Sequence, residues 1–449
     1  MHGLQHSGES LSIDSLPARA ARASTFASRA LVLVFFFGIF EGAARKWLIP
    51  DDFPELSYVA YLSKFLALWI VCALIPVTTP LAGSLREFRA YLQVGLVLLA
   101  SGALLSSISG FNLAGGVLTF VLVFASPVLG YLTAARARIA DTTHVLRWIA
   151  VLSVFPAVLG LIQYELPVHH VLNRYLGDSS WKDVITDLGR VRATGTFSFI
   201  SGMTVMTVTG VWAGISLRIL GSGAVDRLLG TVAILAGFAC GFTALSRGAV
   251  FMGLALLAAR LVLVGRDRQL LVLTIIAALG YGYLSIDRPT TQMQLQVSLA
   301  SGVFVRHAHS DTVLDRVSSW GEQLSHATSR VPLGSGFGTN QIGAQAIETG
   351  RHVLKSYEGE LARLVAEVGV LGLAGVLIIR IGLLLTLFHV WWRIPGSPER
   401  DVLLISMATL CLFFISNTAF NHVAAGFVWP IAAIALALAS NGERWSRRG

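Results

Sequence analysis

The sequence predicts an all-α polytopic membrane protein of about twelve transmembrane helices, with one large helical extracytoplasmic loop. Three observations carry that expectation. Apolar residues make up 54% of the 449 positions, and the mean hydropathy of +0.69 is far above that of a soluble globular chain. Those residues gather into runs close to the roughly 20 that a helix needs to cross a bilayer. Between the runs, arginines recur on alternate connections, which sets the orientation.

In chain order, the basic tail 1–28 leads into spans at 29–46, 57–76, 91–109, 112–134, 146–165, 196–217, 228–245, 249–264 and 269–286. The first carries no small-residue cleavage site and is read as retained. With the N-terminus inside, the inner connections hold Arg86 with Arg89, Arg136 with Arg138, Arg218 with Arg227, Arg266 with Arg268, and Arg393 with Arg400. The stretch 287–357 then falls outside. It is too polar to span and too long for an idle connection, so it is read as a loop domain with helices of its own. VLDRVSSWGEQLSHA sets Val313, Val317, Trp320 and Leu324 at amphipathic-helix spacing, and PLGSGFGTN follows as a glycine-rich turn. Region 358–440 supplies the last three spans, at 366–390, 402–418 and 424–440, before a basic cytoplasmic tail, 441–449. Neither internal repeats nor broken helices are expected. Cys72, Cys240 and Cys411 fall in spans, so no disulfide framework is indicated. The net charge of +9 is spread over many connections and forms no nucleic-acid arm.

Chemistry is expected first in YEGELARLVAEVGVLG. Eleven residues separate Glu358 from Gly369, about three turns, so a continuous helix would put both on one face with Gly372 beside them. Small residues there would admit a neighbouring helix beneath a carboxyl at the membrane edge. The alternative for Glu358 is a helix N-terminal carboxylate favoured by the macrodipole. Glu360, Arg363 and Glu367 have the spacing of a helix-surface ion ladder, yet Glu367 lies deeper than an idle surface charge should. Outer segments hold arginines that the positive-inside rule does not ask for: Arg190, Arg192, Arg247, Arg288, Arg306, Arg316, Arg330 and Arg351. A guanidinium fork grips phosphate oxygens at two points; the alternative is a snorkelling or topological arginine. His307, His309 and Asp311 suit an exposed loop more than a metal site. GSGFGT lacks the strand before it and the Gly-Lys-Ser/Thr after it that nucleotide loops need.

RVRATGTFSFISG (Arg190 to Gly202), SRGA (Ser246 to Ala249), the run from Asp315 to Thr339 ending PLGSGFGT, and EGELARLVAEVGVLG (Glu358 to Gly372) together resemble the O-antigen ligase and O-antigen polymerase superfamily. EGAARKWLIP, Glu41 to Pro50, is similar to openings among its polymerase-like members. The resemblance implies a bundle related to the GT-C glycosyltransferases in a bacterial plasma membrane. It would use a polyprenyl diphosphate-linked oligosaccharide on the periplasmic side, with a glycan or glycolipid as acceptor. On this reading Arg192, Arg247 and Arg316 hold the diphosphate, supported by Arg190, Arg351 and Glu367. Glu358 or His352 takes the acceptor proton. No metal or other cofactor is expected, because arginines supply the positive charge. A chain-length regulator and membrane lipids are the expected partners; nucleic acid is not. One departure separates the chain from the ligases, which carry a histidine where Glu358 stands, nine residues and one polar position before G-x-x-G. Chain polymerisation of a surface polysaccharide is therefore expected. Ligation to lipid A-core is the alternative within the superfamily, and a polysaccharide flippase or transporter the alternative outside it.

Overall fold

A computed structural model describes residues 15–49, 83–135, 142–167, 170–174, 186–187, 190–264, 272, 274–277, 313–339, 359–415 and 422–446. The bundle is all-α. The exception is a short antiparallel pair, β1 (Thr186–Asp187) with β2 (Arg190–Val191). Helix α1 (Ser15–Ala43) continues into a π-helical turn, Ala44–Leu48. Helix α2 (Gly83–Ser109) follows. Helices α3 (Leu113–Thr119) and α4 (Ser126–Ala134) are joined by a π-helical stretch, Phe120–Ala125. Next come α5 (Thr142–Glu165), α6 (Ile200–Leu220), α7 (Ala224–Thr243), α8 (Arg247–Leu263) and α9 (Val313–Arg330). The chain ends with α10 (Glu360–Arg393), α11 (Pro398–Ile415) and α12 (His422–Ser446).

Among the described residues, 7 helical stretches are long and apolar enough to cross a membrane, as a multi-pass protein requires. Helices stand at the expected spans, apart from 57–76 and most of 269–286, which lie outside the described residues. The first helix begins earlier than expected, within the tail, because the alanine- and arginine-rich SLPARAARAS favours helix and runs unbroken into the apolar stretch.

Two helices make the centre. Nearly every side of α6 is buried, and Trp212 Nε1 donates to Ser406 Oγ of α11 at 2.9 Å. The apolar length of α12 is buried on all sides, with Phe427 wedged against Phe35 of α1. Small residues set the closest approach, between α2 and α10. A Cβ on Gly102 would sit 2.3 Å from the Val368 carbonyl oxygen, and one on Gly95 would sit 2.7 Å from that of Gly375. The stripe containing Gly372 does admit a neighbour, and that neighbour is α2.

Helix α10 is not the continuous helix that the sequence suggests. Gly369 has φ 69° and ψ −179°, a conformation essentially confined to glycine. At the break, segment 332–335 takes over the helix's own hydrogen bonds. The Val370 amide donates to Pro332 O (2.9 Å) and the Ala366 carbonyl accepts from the Ser335 amide (2.7 Å), the two groups that an unbroken helix would join to each other. The consequence is a fold-back. Glu360 Oε1 lies 2.5 Å from Arg380 Nη2, whereas 20 residues of straight helix would hold them about 30 Å apart. Residues 360–368 therefore run back along the crossing segment 370–393. The continuous helical face expected to lead to Gly369 and Gly372 is interrupted at Gly369, and Glu358 lies outside the described residues.

Candidate functional site

The returning limb, 360–368, is enclosed on every side. Glu360, Arg363 and Glu367 are 7%, 8% and 0% exposed, so the expected surface ladder is instead a buried charge cluster. Arg363 lies within electrostatic reach of both carboxylates. The strongest partner of Glu360 is Arg380, whose Nη1 also donates to Phe414 O at 3.4 Å and whose guanidinium lies 5.1 Å from the Phe414 ring centre. Arg380 lines a small cleft together with Leu122, Ala425, Val428 and Trp429.

Glu367 is fixed by the glycine-rich turn. Its Oε1 accepts from Thr119 Oγ1 at 2.7 Å and from the Gly338 amide at 2.6 Å. Its carbonyl accepts from Ser106 Oγ at 2.7 Å, and that hydroxyl accepts in turn from the Gly336 amide at 3.2 Å. Phe337 exchanges backbone hydrogen bonds with Gly110 and Asn112, each at 3.0 Å. Gly334, Gly336 and Gly338 all have positive φ. The amides of Ser335, Gly336 and Gly338 thus hold the turn onto α2 and α10, and Glu367 is its anchor.

A second constellation forms where α1 and α5 end and α6 begins, beside the turn between α7 and α8. Segment 191–198 lies along that turn: the Ala193 amide donates to Thr243 O at 2.9 Å and Arg192 Nε to Ala244 O at 3.1 Å. Arg247 opens α8 and is exposed. It follows Leu245, at φ 50°, and Ser246, which caps the helix by accepting from the Ala249 amide at 3.4 Å. This is the tight hairpin that the sequence indicated. From the other side, Gln163 Oε1 accepts from the amides of Thr194 (3.1 Å) and Gly195 (2.7 Å). Lys46 Nζ donates to Thr194 Oγ1 (3.0 Å) and Gly195 O (2.7 Å), and Arg45 Nη1 donates to Ser198 Oγ (3.4 Å). Gly42 lets α1 come this close, since a Cβ there would sit 2.3 Å from the Ser198 nitrogen.

Arg192 therefore lies against the turn that leads into Arg247, and Arg45 and Lys46 reach the same segment from the π-helical end of α1, Arg45 being also paired with Glu41 at 3.6 Å. The chain matches no protein-family model, and no curated protein matches it. Of the other expected site residues, Arg190 pairs through its backbone with Asp187 and Arg316 lies on α9. Arg351, His352 and Glu358 lie outside the described residues, as do His307, His309 and Asp311. The neighbour of Glu358 is well anchored: the Gly359 amide donates to Gln323 Oε1 of α9 at 3.0 Å. Helix α12 touches both constellations, with Phe427 against Phe197 and with Ala425 and Val428 lining the Arg380 cleft.

Sequence reasoning missed Arg45, Lys46, Gln163 and Arg380. The first two sat in the EGAARKWLIP segment but read as the end of a span. Arg380 did carry a signal, a lone arginine within the apolar run LGLAGVLIIRIGLLL, which is a functional or paired residue by default.

Proposed function

We propose that the chain is a membrane glycosyltransferase that uses a polyprenyl diphosphate-linked glycan at the outer face of the plasma membrane. It extends a surface polysaccharide in the manner of the O-antigen polymerases. The observation that carries this reading is the convergence of Arg45, Lys46, Arg192 and Arg247 on one segment, 191–198, and the turn beside it. Four cationic side chains on neighbouring segments, Arg45 among them already paired with Glu41 at 3.6 Å, suit a diphosphate headgroup.

In the reaction, the acceptor hydroxyl oxygen bonds to the anomeric carbon as the bond from that carbon to the diphosphate oxygen breaks. The electron pair leaves with the diphosphate, whose growing charge Arg192 and Arg247 offset, with Arg316 as the third candidate. Glu358, two residues before the buried limb, takes the hydroxyl proton, with His352 as the alternative base. One displacement inverts the anomeric centre. Glu360 and Glu367 are poorly suited to that role, the first being paired with Arg380 and the second holding a hydroxyl and an amide.

One observation favours a different class. Broken helices are a hallmark of transporters, and α10 is broken at Gly369, contrary to the sequence expectation. Proteoliposomes given a polyprenyl diphosphate oligosaccharide separate the two readings. The enzyme reading expects longer lipid-linked glycans on a gel. Unextended donor moved across the bilayer would support a flippase instead.

A further inference from the structure

Arg400 is held in place without being satisfied. Its guanidinium lies 4.9 Å from the centre of the Trp391 ring, across the short connection from α10 to α11. Its side-chain donors meet no acceptor among the described residues, the enclosed Nε included. Glu399 and Asp401 flank it, and Asp401 is within electrostatic reach of both Arg260 and Arg400. Neither carboxylate forms an ion pair with Arg400 among the described residues. Stacking on a ring fixes the plane of a guanidinium. The fork is therefore presented, already oriented, to an acceptor from outside the chain.

Position says what that acceptor is. Phe388, Trp391 and Trp392 form a three-ring cluster near the end of α10, with centroids 5.6 to 6.2 Å apart. Aromatic rings of this kind gather at the headgroup level of a bilayer. Back along the same helix, Ile381, Leu385, Phe388 and Trp392 recur at i, i+4, i+7 and i+11 and are all exposed, so they line one face. That stripe is about 16 Å long, close to half of the roughly 30 Å hydrocarbon core. An acyl chain laid along it from mid-bilayer brings its headgroup to the corner made by Trp391 and Arg400. Arg393, in the last turn of α10, is exposed at the same end. We propose that this corner binds an anionic phospholipid, with the phosphodiester accepting from the Arg400 fork and an acyl chain on the stripe from Ile381 to Trp392. A zwitterionic headgroup would bring its own cation beside Arg400 and Arg393; phosphatidylglycerol brings none. The ring comes from α10 and the cation from α11, so the lipid ties the two helices together. The site is independent of the glycosyltransferase chemistry.

The test uses full-length protein in detergent micelles containing phosphatidylglycerol and phosphatidylcholine in equal amounts, with native mass spectrometry counting the lipids retained. Wild type is expected to retain phosphatidylglycerol in preference. Arg400→Gln removes the charge and the fork. It is expected to hold one phosphatidylglycerol about fivefold more weakly and to retain phosphatidylcholine unchanged. It should also unfold at the wild-type temperature in phosphatidylcholine while losing the rise that phosphatidylglycerol gives wild type. Arg227→Gln, at an exposed arginine on another connection, controls for net charge and is expected to change nothing. Unchanged retention by Arg400→Gln, or an equal loss in Arg227→Gln, would overturn the proposal. Displacement of the lipid by excess inorganic phosphate would overturn it too, since that marks a site for a free anion. Should Arg400→Gln fail to fold, Arg400→Lys keeps the charge without the planar fork and is expected to retain less phosphatidylglycerol than wild type; wild-type retention by it would equally overturn the proposal.

Discussion

Arg380→Met should destabilise the bundle by about 3–5 kcal/mol, the usual result of breaking a buried ion pair from one side. The reasoning starts from geometry. Glu360 and Arg380 side chains are 6% and 8% exposed and touch at 2.5 Å, so neither can exchange its partner for bulk water. Removing the guanidinium also removes its stacking on Phe414, about 0.5–2 kcal/mol of the total. The double variant Glu360→Leu/Arg380→Met removes both charges and should recover most of the loss, giving a coupling of about 2 kcal/mol or more against the single variants Glu360→Leu and Arg380→Met. Unfolding in mixed micelles on titration with SDS, for both single variants and the double, measures the cycle. An Arg380→Met protein within about 0.5 kcal/mol of wild type, or single losses that simply add, would refute the fold-back on which the pair depends.

Three further outcomes follow from the same geometry. Gly369→Ala should cost about 2–4 kcal/mol, because alanine is strained at this φ and its Cβ would meet Leu333 backbone at 2.8 Å; Gly321→Ala, with open space around it, should be neutral or gain up to about 1 kcal/mol, and equal effects in thermal unfolding would contradict the break. Arg247→Lys should reduce transfer nearly as far as Arg247→Ala, roughly 10- to 100-fold in kcat/KM, since a point charge lacks the planar two-point grip; near-normal turnover at matched expression would remove the bidentate argument. Ser246→Cys, Ser310→Cys and Ser356→Cys should each react with an impermeant thiol reagent in spheroplasts while Ser222→Cys does not, and the reverse pattern would invert the membrane orientation.

Hydropathy and arginine placement made the helices legible, because crossing a bilayer imposes a length and a composition on each segment. The amphipathic spacing of VLDRVSSWGEQLSHA likewise became α9, with Ala327 buried against the returning limb. The break in α10 was hidden. ELARLVAEVGVLG reads as unbroken helix, and what ends it is an exchange of hydrogen bonds with Pro332 and Ser335, more than thirty residues away. Arg380 was hidden for a related reason, since its carboxylate lies 20 residues back in sequence and local pairing rules reach only three or four. Lys46 meets Thr194 across 148 residues, a distance at which no spacing rule operates. Arg192 and Arg247 stood out because the expected orientation puts them on the outer side, against the charge rule that the other connections follow.

The most direct measurement of the central claim is glycan elongation by purified protein supplied with a polyprenyl diphosphate oligosaccharide, run beside Glu358→Gln at matched expression with donor binding measured in parallel. The account predicts longer lipid-linked glycans from wild type, and from Glu358→Gln normal donor binding without elongation, because an amide keeps the shape but cannot accept the proton. Full elongation by Glu358→Gln alongside an inactive His352→Ala would contradict it, moving the base to histidine and reopening ligation to lipid A-core.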